Sequence, residues 1–164
     1  MEVQKSILIS ASPEEVWPYM IQPEKILQWY ITFQKFEYTS EHRSGVGTTM
    51  YIEEKAAGPL MKMNFVVTEW VADELLAFRM EPGSGPKSYE QRWSIEPSPS
   101  GCIITLWEEV QLPYGIIGKW IERIAQPKSE ATVEKILAKL KTLVETKEQE
   151  TPEAVSNTHI ELQV

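Results

Sequence analysis

The chain of 164 residues has one cysteine, Cys102, and two histidines, His42 and His159. A single thiol forms no disulfide within the chain and no thiolate cluster for a metal. One cysteine and two histidines are too few for a zinc site of the usual kind, so neither a metal nor another cofactor is expected. A Ser–His–Asp arrangement would have to recruit His42, in the turn-like run SEHRSG, or His159, close to the C-terminus. Neither stands beside a nucleophile. No stretch approaches the roughly 18 consecutive apolar residues of a membrane-spanning helix. The start, MEVQKSILIS, has Glu2 where a secretory leader carries basic residues. Stable membrane insertion is therefore not expected, and a cytoplasmic protein is. Phosphate-cradling loops are also missing, since GVG at 45–47 and GSG at 83–85 fit turns.

Positive charge is in short supply. Sixteen basic residues face 24 acidic ones, for a formal net charge of −8. Half of that excess lies at the end, where Glu148, Glu150, Glu153 and Glu161 occur without a Lys or Arg. A mildly acidic body is a poor match for nucleic acid. Apolar residues at 42% supply enough material for one core. The division expected is one domain over residues 1–147 and an acidic, disordered tail over 148–164. Within that tail HIELQV alternates and offers an edge strand as the alternative.

VQKSILISA alternates polar and apolar residues as a half-buried strand does. Ser12-Pro13-Glu14-Glu15 then reads as a capped helix start. Val16, Trp17 and Met20 follow on a helix kept short or distorted by Pro18. Gln22-Pro23-Glu24 starts a second short helix carrying Ile26, Leu27 and Trp29. From Phe33 the period changes to two. Strands are expected near Phe33 to Thr39, Thr48 to Ala56, Met61 to Val71, Leu75 to Met80, Ser88 to Glu96, and Cys102 to Leu112. The breaks HRSGVG, AAGP, VADE, EPGSGPK and PSPSG are rich in turn residues. After Gly115 two helical stripes appear: Ile117, Trp120, Ile121 and Ile124, then Val133, Ile136, Leu137, Leu140, Leu143 and Val144. The nine residues from Ile124 to Val133 turn a helix by about 180°, so the stripes are out of phase. The reading is a short helix, a break at Gln126-Pro127, and a long helix from about Lys128 to Thr146. Six consecutive strands with short connections make an antiparallel meander. A strongly bent sheet cannot bury its own concave face, and the long helix closes it.

This order of elements resembles the polyketide cyclase/dehydrase and lipid-transport superfamily (SRPBCC), the helix-grip fold shared with START domains. The matching segments are VQKSILISASPEEVWPYM with PEKILQWY, GVGTTMYI, MKMNFVVTEWVADELLAFRM, PSPSGCIITLWEEVQ and the closing helix, over Met1 to about Glu145. The resemblance implies an α+β fold. A seven-stranded curved antiparallel sheet wraps a long C-terminal helix, with two short helices after the first strand. It also implies a protein that takes up a hydrophobic or aromatic small molecule, such as a lipid, quinone or polyketide-like compound, between sheet and helix. The alternatives it leaves are a cyclase, dehydratase or hydrolase type of enzyme, and a protein-interaction module like the activators of a chaperone ATPase. The tryptophan-rich signature often found in those activators after the second helix is replaced here by QWYITFQKF.

Alternation assigns the faces. The inward set is Met50 and Ile52; Met61, Met63 and Phe65; Phe78; Tyr89, Gln91 and Trp93; Ile104 and Leu106. Trp120, Ile124, Ile136 and Leu140 face them from the helices. Methionine and aromatic side chains suit a site for apolar shapes. Among polar residues on inward faces, Glu69, Tyr89 and Glu108 are the candidates for acid–base chemistry. The competing reading sends Glu69 and Glu108 to solvent, paired with Arg79 or Arg92. Trp70 and Trp107 fall on the outer face, unless a one-residue bulge reverses the side chains after it. Trp17, Trp29 and Tyr30, on or after the two short helices, are candidates to gate the entrance.

Overall fold

The computed structural model describes residues 1–56, 58–83, 85–113 and 115–149. Ser12 precedes Pro13 at the start of α1 (Pro13–Ile21), and the Ser12 N–H donates to the Glu15 carboxylate at 2.7 Å. Pro18 lies within α1 without ending it. A second proline opens α2 (Pro23–Trp29), where the missing N–H costs nothing. Both helices interrupt the sheet between β1 (Glu2–Ile9) and β2 (Phe33–Tyr38). Four further strands follow: β3 (Thr49–Glu54), β4 (Met61–Val71), β5 (Leu75–Met80) and β6 (Ser88–Ser98). β7 (Gly101–Gln111) completes the sheet and α3 (Gly115–Gln149) closes the described chain.

The seven strands form one curled antiparallel sheet in the order β1-β7-β6-β5-β4-β3-β2, so β1 joins an edge as expected. Its concave face is apolar: Met50, Ile52, Met63, Phe65, Val67, Phe78, Trp93, Ile104 and Leu106 are all buried. Two covers lie on it. Val16, Trp17, Met20, Ile26 and Trp29 come from α1 and α2, and Val133, Ile136, Leu137, Leu140 and Val144 from the second half of α3.

Two expectations are corrected. α3 is one continuous helix, with Pro127 inside it and no break at Gln126-Pro127. Proline removes a single intrahelical hydrogen bond, which a long helix anchored on both sides tolerates. Because the helix continues through Pro127, its two out-of-phase stripes cannot both reach the sheet. The first one loses. Ile116, Ile117, Trp120, Ile121 and Ile124 are exposed, Trp120 by 69% and Ile124 by 64%. The other correction is in β4, where the register shifts between Val67 and Glu69. The bulge exchanges the faces beyond it. Trp70 turns inward and meets Trp17 edge-on at 5.3 Å, while Glu69 turns outward to an exposed ion pair with Arg92. Trp107 stays on the outer face, half-buried, and its indole N–H donates to Glu2 at 2.7 Å. Of the acidic tail, residues 150–164, His159 and HIELQV included, lie outside the described residues.

The β6–β7 turn closes against the end of β1. Gly101 has φ +134°, and a Cβ there would stand 2.0 Å from the Ile9 carbonyl oxygen. Gly101→Ala is therefore expected to cost about 2 kcal/mol or more, from strain and clash together. That lowers the thermal midpoint by about 5 °C or more. A midpoint unchanged in differential scanning calorimetry would refute this account of the turn.

Candidate functional site

The covers meet where α2 gives way to β2. Trp29 anchors this junction by donating its indole N–H to the Tyr19 carbonyl at 2.8 Å. Tyr30, the residue after α2, stacks on Phe33 with ring centroids 3.7 Å apart. Thr32 donates its hydroxyl to Glu54 Oε1 at 2.8 Å, and its carbonyl accepts the Lys55 N–H at the same distance. The crossing segment is thus stitched to the end of β3.

Two compartments lie on either side of Tyr30. One is apolar, about 20 Å³ in volume, and walled by Trp29, Phe33, Trp93, Phe78, Met50 and Leu76 among others. The second is a chamber of about 70 Å³ between sheet and α3. Its walls include Thr32, Glu54 and Glu108 on the strand side and Ala125, Lys128, Ser129, Thr132, Val133 and Ile136 on the helix. Tyr30 borders both. The free interior is small because aromatic rings fill it. Trp29 meets Trp93 edge-on at 5.5 Å, and Phe65 meets Phe78 at 5.4 Å and Tyr89 at 5.6 Å.

A buried polar network runs along the wall shared by β6 and β7. Gln91 lies opposite Glu108 in the register. The Trp93 indole can only donate, and it donates to Gln91 Oε1 at 3.2 Å, which fixes which end of the amide is which. Gln91 Nε2 then points at the Tyr30 hydroxyl (2.6 Å), the Tyr89 hydroxyl (2.6 Å) and Glu108 Oε2 (3.1 Å). Two amide hydrogens serve these three acceptors. Tyr89 donates its own proton to Glu108 Oε2 at 3.3 Å. Glu108 Oε2 is thereby satisfied, although burial still pushes the carboxyl above the usual range, against the hydrogen bonds of Gln91 and Tyr89. Both phenols are pushed well above their ordinary value, first by burial and then by the Glu108 and Glu54 carboxylates.

Glu54 is only 5% exposed. Burial raises its carboxyl to about 7, the Glu108 carboxylate adds to the rise, and the hydrogen bond from Thr32 opposes it. Tyr89 also stands near enough to lower it, but its hydrogen bond goes to Glu108, and Glu54 Oε2 has no hydrogen-bond partner.

The expected site residues therefore divide. Met50, Phe78, Gln91 and Trp93 line the apolar compartment. Ile136 and the acid–base candidate Glu108 line the chamber. Ile52, Met63, Phe65, Ile104, Leu106 and Leu140 pack in the surrounding core, with Met61 half-buried beside them. Tyr89 is buried in the polar network. Trp120 and Ile124 are exposed, and Glu69 is on the outer face, so these three belong to neither compartment. Sequence reasoning missed Thr32 and Glu54. Glu54 was within reach, since it continues the inward alternation of Met50 and Ile52.

A bent antiparallel sheet, two short helices after the first strand and a long closing helix define a helix-grip protein. The profile of the polyketide cyclase/dehydrase and lipid-transport family matches residues 1–145, and the chain belongs to that family. No curated protein sequence matches it significantly. Among solved structures it is similar to the protein TTHA0849 from Thermus thermophilus, at 22% identity and a TM-score of 0.75, covering 90% of this chain and 99% of that one. A START superfamily protein from Mycobacterium smegmatis aligns at 17% identity and TM-score 0.72, over 89% of this chain and 98% of that one. The di-domain aromatase/cyclase StfQ of the steffimycin pathway aligns at 9% identity and TM-score 0.71, over 90% of this chain and 52% of that one. At these identities the likeness shows the fold. Among the described residues no helix is long and apolar enough to cross a membrane.

The raised carboxyl makes stability pH-dependent with a definite sign. Between about 4.5, the ordinary value, and about 7 the folded chain holds a proton on Glu54 that the unfolded chain has released. Unfolding free energy therefore falls as pH rises through that window, by up to about 3 kcal/mol. Above pH 7 the contribution is constant. Glu54→Gln should be more stable than the parent at pH 8 and gain little at pH 4.5, measured by urea denaturation. A difference that does not change with pH would overturn the assignment.

Proposed function

We propose that the protein binds an apolar or aromatic small molecule of lipid, quinone or polyketide-like type between the sheet and its two covers. The observation that carries this reading is an aromatic compartment ending on a buried, oriented polar network. Packing alone asks for neither. An apolar side chain at Gln91 or Glu108 would fill the wall without desolvating an amide or a carboxyl. A ligand ring entering here displaces the Tyr30–Phe33 stack, because the compartment as it stands holds no more than a water molecule. Affinity then comes from apolar burial, at about 25 cal/mol per Å², with the amide and phenols choosing the orientation. The family description, polyketide cyclase/dehydrase and lipid transport, supports the same reading.

A second reading is favoured by one observation, the buried pair of carboxylates facing one chamber. An acid–base enzyme of cyclase or dehydratase type would use Glu108 and Tyr89 to move a proton on a bound polyketone. Turnover by the parent and its loss in Glu108→Gln, with ligand affinity retained, would establish it over simple carriage.

Two measurements test binding. Organic extracts of the purified protein should contain a stoichiometric apolar compound by mass spectrometry. Menadione should quench the indole fluorescence saturably, and Leu76→Trp, which fills the apolar compartment, should weaken it at least tenfold with the unfolding transition still cooperative. Non-saturable quenching together with empty extracts would refute the reading.

A further inference from the structure

Glu54 Oε2 is a buried acceptor with nothing to accept from. The residue is held by Thr32 through its other oxygen, and its free oxygen belongs to a side chain that lines the 70 Å³ chamber. Leaving such an acceptor unmet is destabilising, the more so if it is charged. An apolar residue continuing the Met50 and Ile52 row would avoid that cost entirely. No hydrogen bond of the folded chain reaches Oε2, and the phenol within range, Tyr89, gives its single proton to Glu108.

We propose that Glu54 is the acceptor for a hydroxyl group of the bound molecule, and that the ligand class is an aromatic or polycyclic alcohol or phenol. This rests on the reading of the interior as an apolar ligand site and adds which head group that site selects. The ring occupies the aromatic compartment, and the hydroxyl passes Tyr30, the wall common to both spaces, to reach Oε2.

The groups around Glu54 favour a neutral donor. Thr32 and Tyr30 face it from the α2–β2 connection, and Tyr89 and Glu108 from β6 and β7. Lys128, Ser129 and Thr132 face it from α3. Tyr89 and Gln91 already serve Glu108, so they are not free to serve Glu54. Lys128, exposed at the helix wall of the chamber, offsets part of the attraction that the two carboxylates would exert on an ammonium head. A metal is not the missing partner either. Among the described residues no group of three or more His, Cys, Asp or Glu side chains could hold one. A hydroxyl satisfies Oε2 in either protonation state of Glu54, and best when the carboxyl is ionised, as a charge-assisted hydrogen bond.

The chamber also has room for a water or two, which would satisfy the same oxygen. A matched pair of probes separates the cases. 2-Naphthol and 2-methoxynaphthalene have the same rings, and only the first can donate. Their dissociation constants are measured by indole quenching at pH 6 and pH 8 on the parent chain, Glu54→Gln and Glu54→Leu. The parent at pH 8 should prefer the naphthol at least tenfold and lose part of that preference at pH 6, where Glu54 is largely protonated. Glu54→Leu should bind the ether as the parent does and show less than a threefold preference. Glu54→Gln should keep a reduced preference that no longer changes with pH. Equal affinities for the two probes in the parent would overturn the proposal and leave the apolar site standing. A parent that binds neither probe overturns both. If Glu54→Leu weakens the two probes alike, the role is structural and the proposal fails. Should that variant not fold, the pH profile of Glu54→Gln decides between the same outcomes.

Discussion

A curled sheet has an apolar inner face that nothing in the sheet can cover, and everything else in this molecule follows from how that face is sealed. One element does not suffice. The second half of α3 covers one part with Val133, Ile136, Leu137, Leu140 and Val144, and α1 and α2 cover another with Val16, Trp17, Met20, Ile26 and Trp29. A lid in two pieces has a seam. Tyr30 and Thr32 cross that seam, and both interior compartments open against Tyr30. The candidate site is therefore where the sealing of the core is least complete, which is where a ligand could be admitted at least cost in lost packing.

The polar residues at the seam work against stability, and their arrangement limits the damage. Glu108 receives an amide and a phenol, and the amide is itself held in place by the Trp93 indole. Half-satisfied networks are worse than apolar cores, and here Glu54 Oε2 is the one fully inaccessible side-chain atom lining the chamber that is left without a partner among the described residues. Thr48 Oγ1 is the other buried side-chain atom without a partner among the described residues, but it lines neither compartment. The exception at Glu54 differs in belonging to a side chain that lines a chamber. Proximity to Glu108 raises the cost of ionising Glu54 further, so the pair is a poor structural device.

Most of the sheet was legible because its signal is local. A period of two names the strands and their inner faces from Phe33 onward, and turn residues mark the breaks. Glu108, Gln91 and Tyr89 could be placed together from alternation alone, since a polar residue in an inward row remains conspicuous. The bulge in β4 was not legible, because it inserts one residue without a glycine or proline to announce it. It moved Glu69 out and Trp70 in. Thr32 escaped notice for a different reason. It belongs to no periodic element, and its role depends on Glu54, which lies 22 residues away in sequence.

The closing helix shows how a correct local reading gives a wrong global one. Two apolar stripes half a turn out of phase cannot face the same surface on a straight rod, and Pro127 between them offered a bend that would have reconciled them. The chain takes the other solution and continues one helix through Pro127. A kink would have brought Ile117, Trp120, Ile121 and Ile124 into contact, but the opposite face of the same turns is already engaged: Glu122 accepts the Leu112 N–H at 2.6 Å, and Gln126 donates to the Glu2 carbonyl at 2.6 Å. Gly118 approaches the Pro113 carbonyl so closely that a Cβ would stand 2.4 Å from its oxygen. These contacts fix the rotation of the first half of α3 about its own axis. Once that rotation is fixed, the helix period of 3.6 leaves the isoleucine and tryptophan stripe no direction but outward.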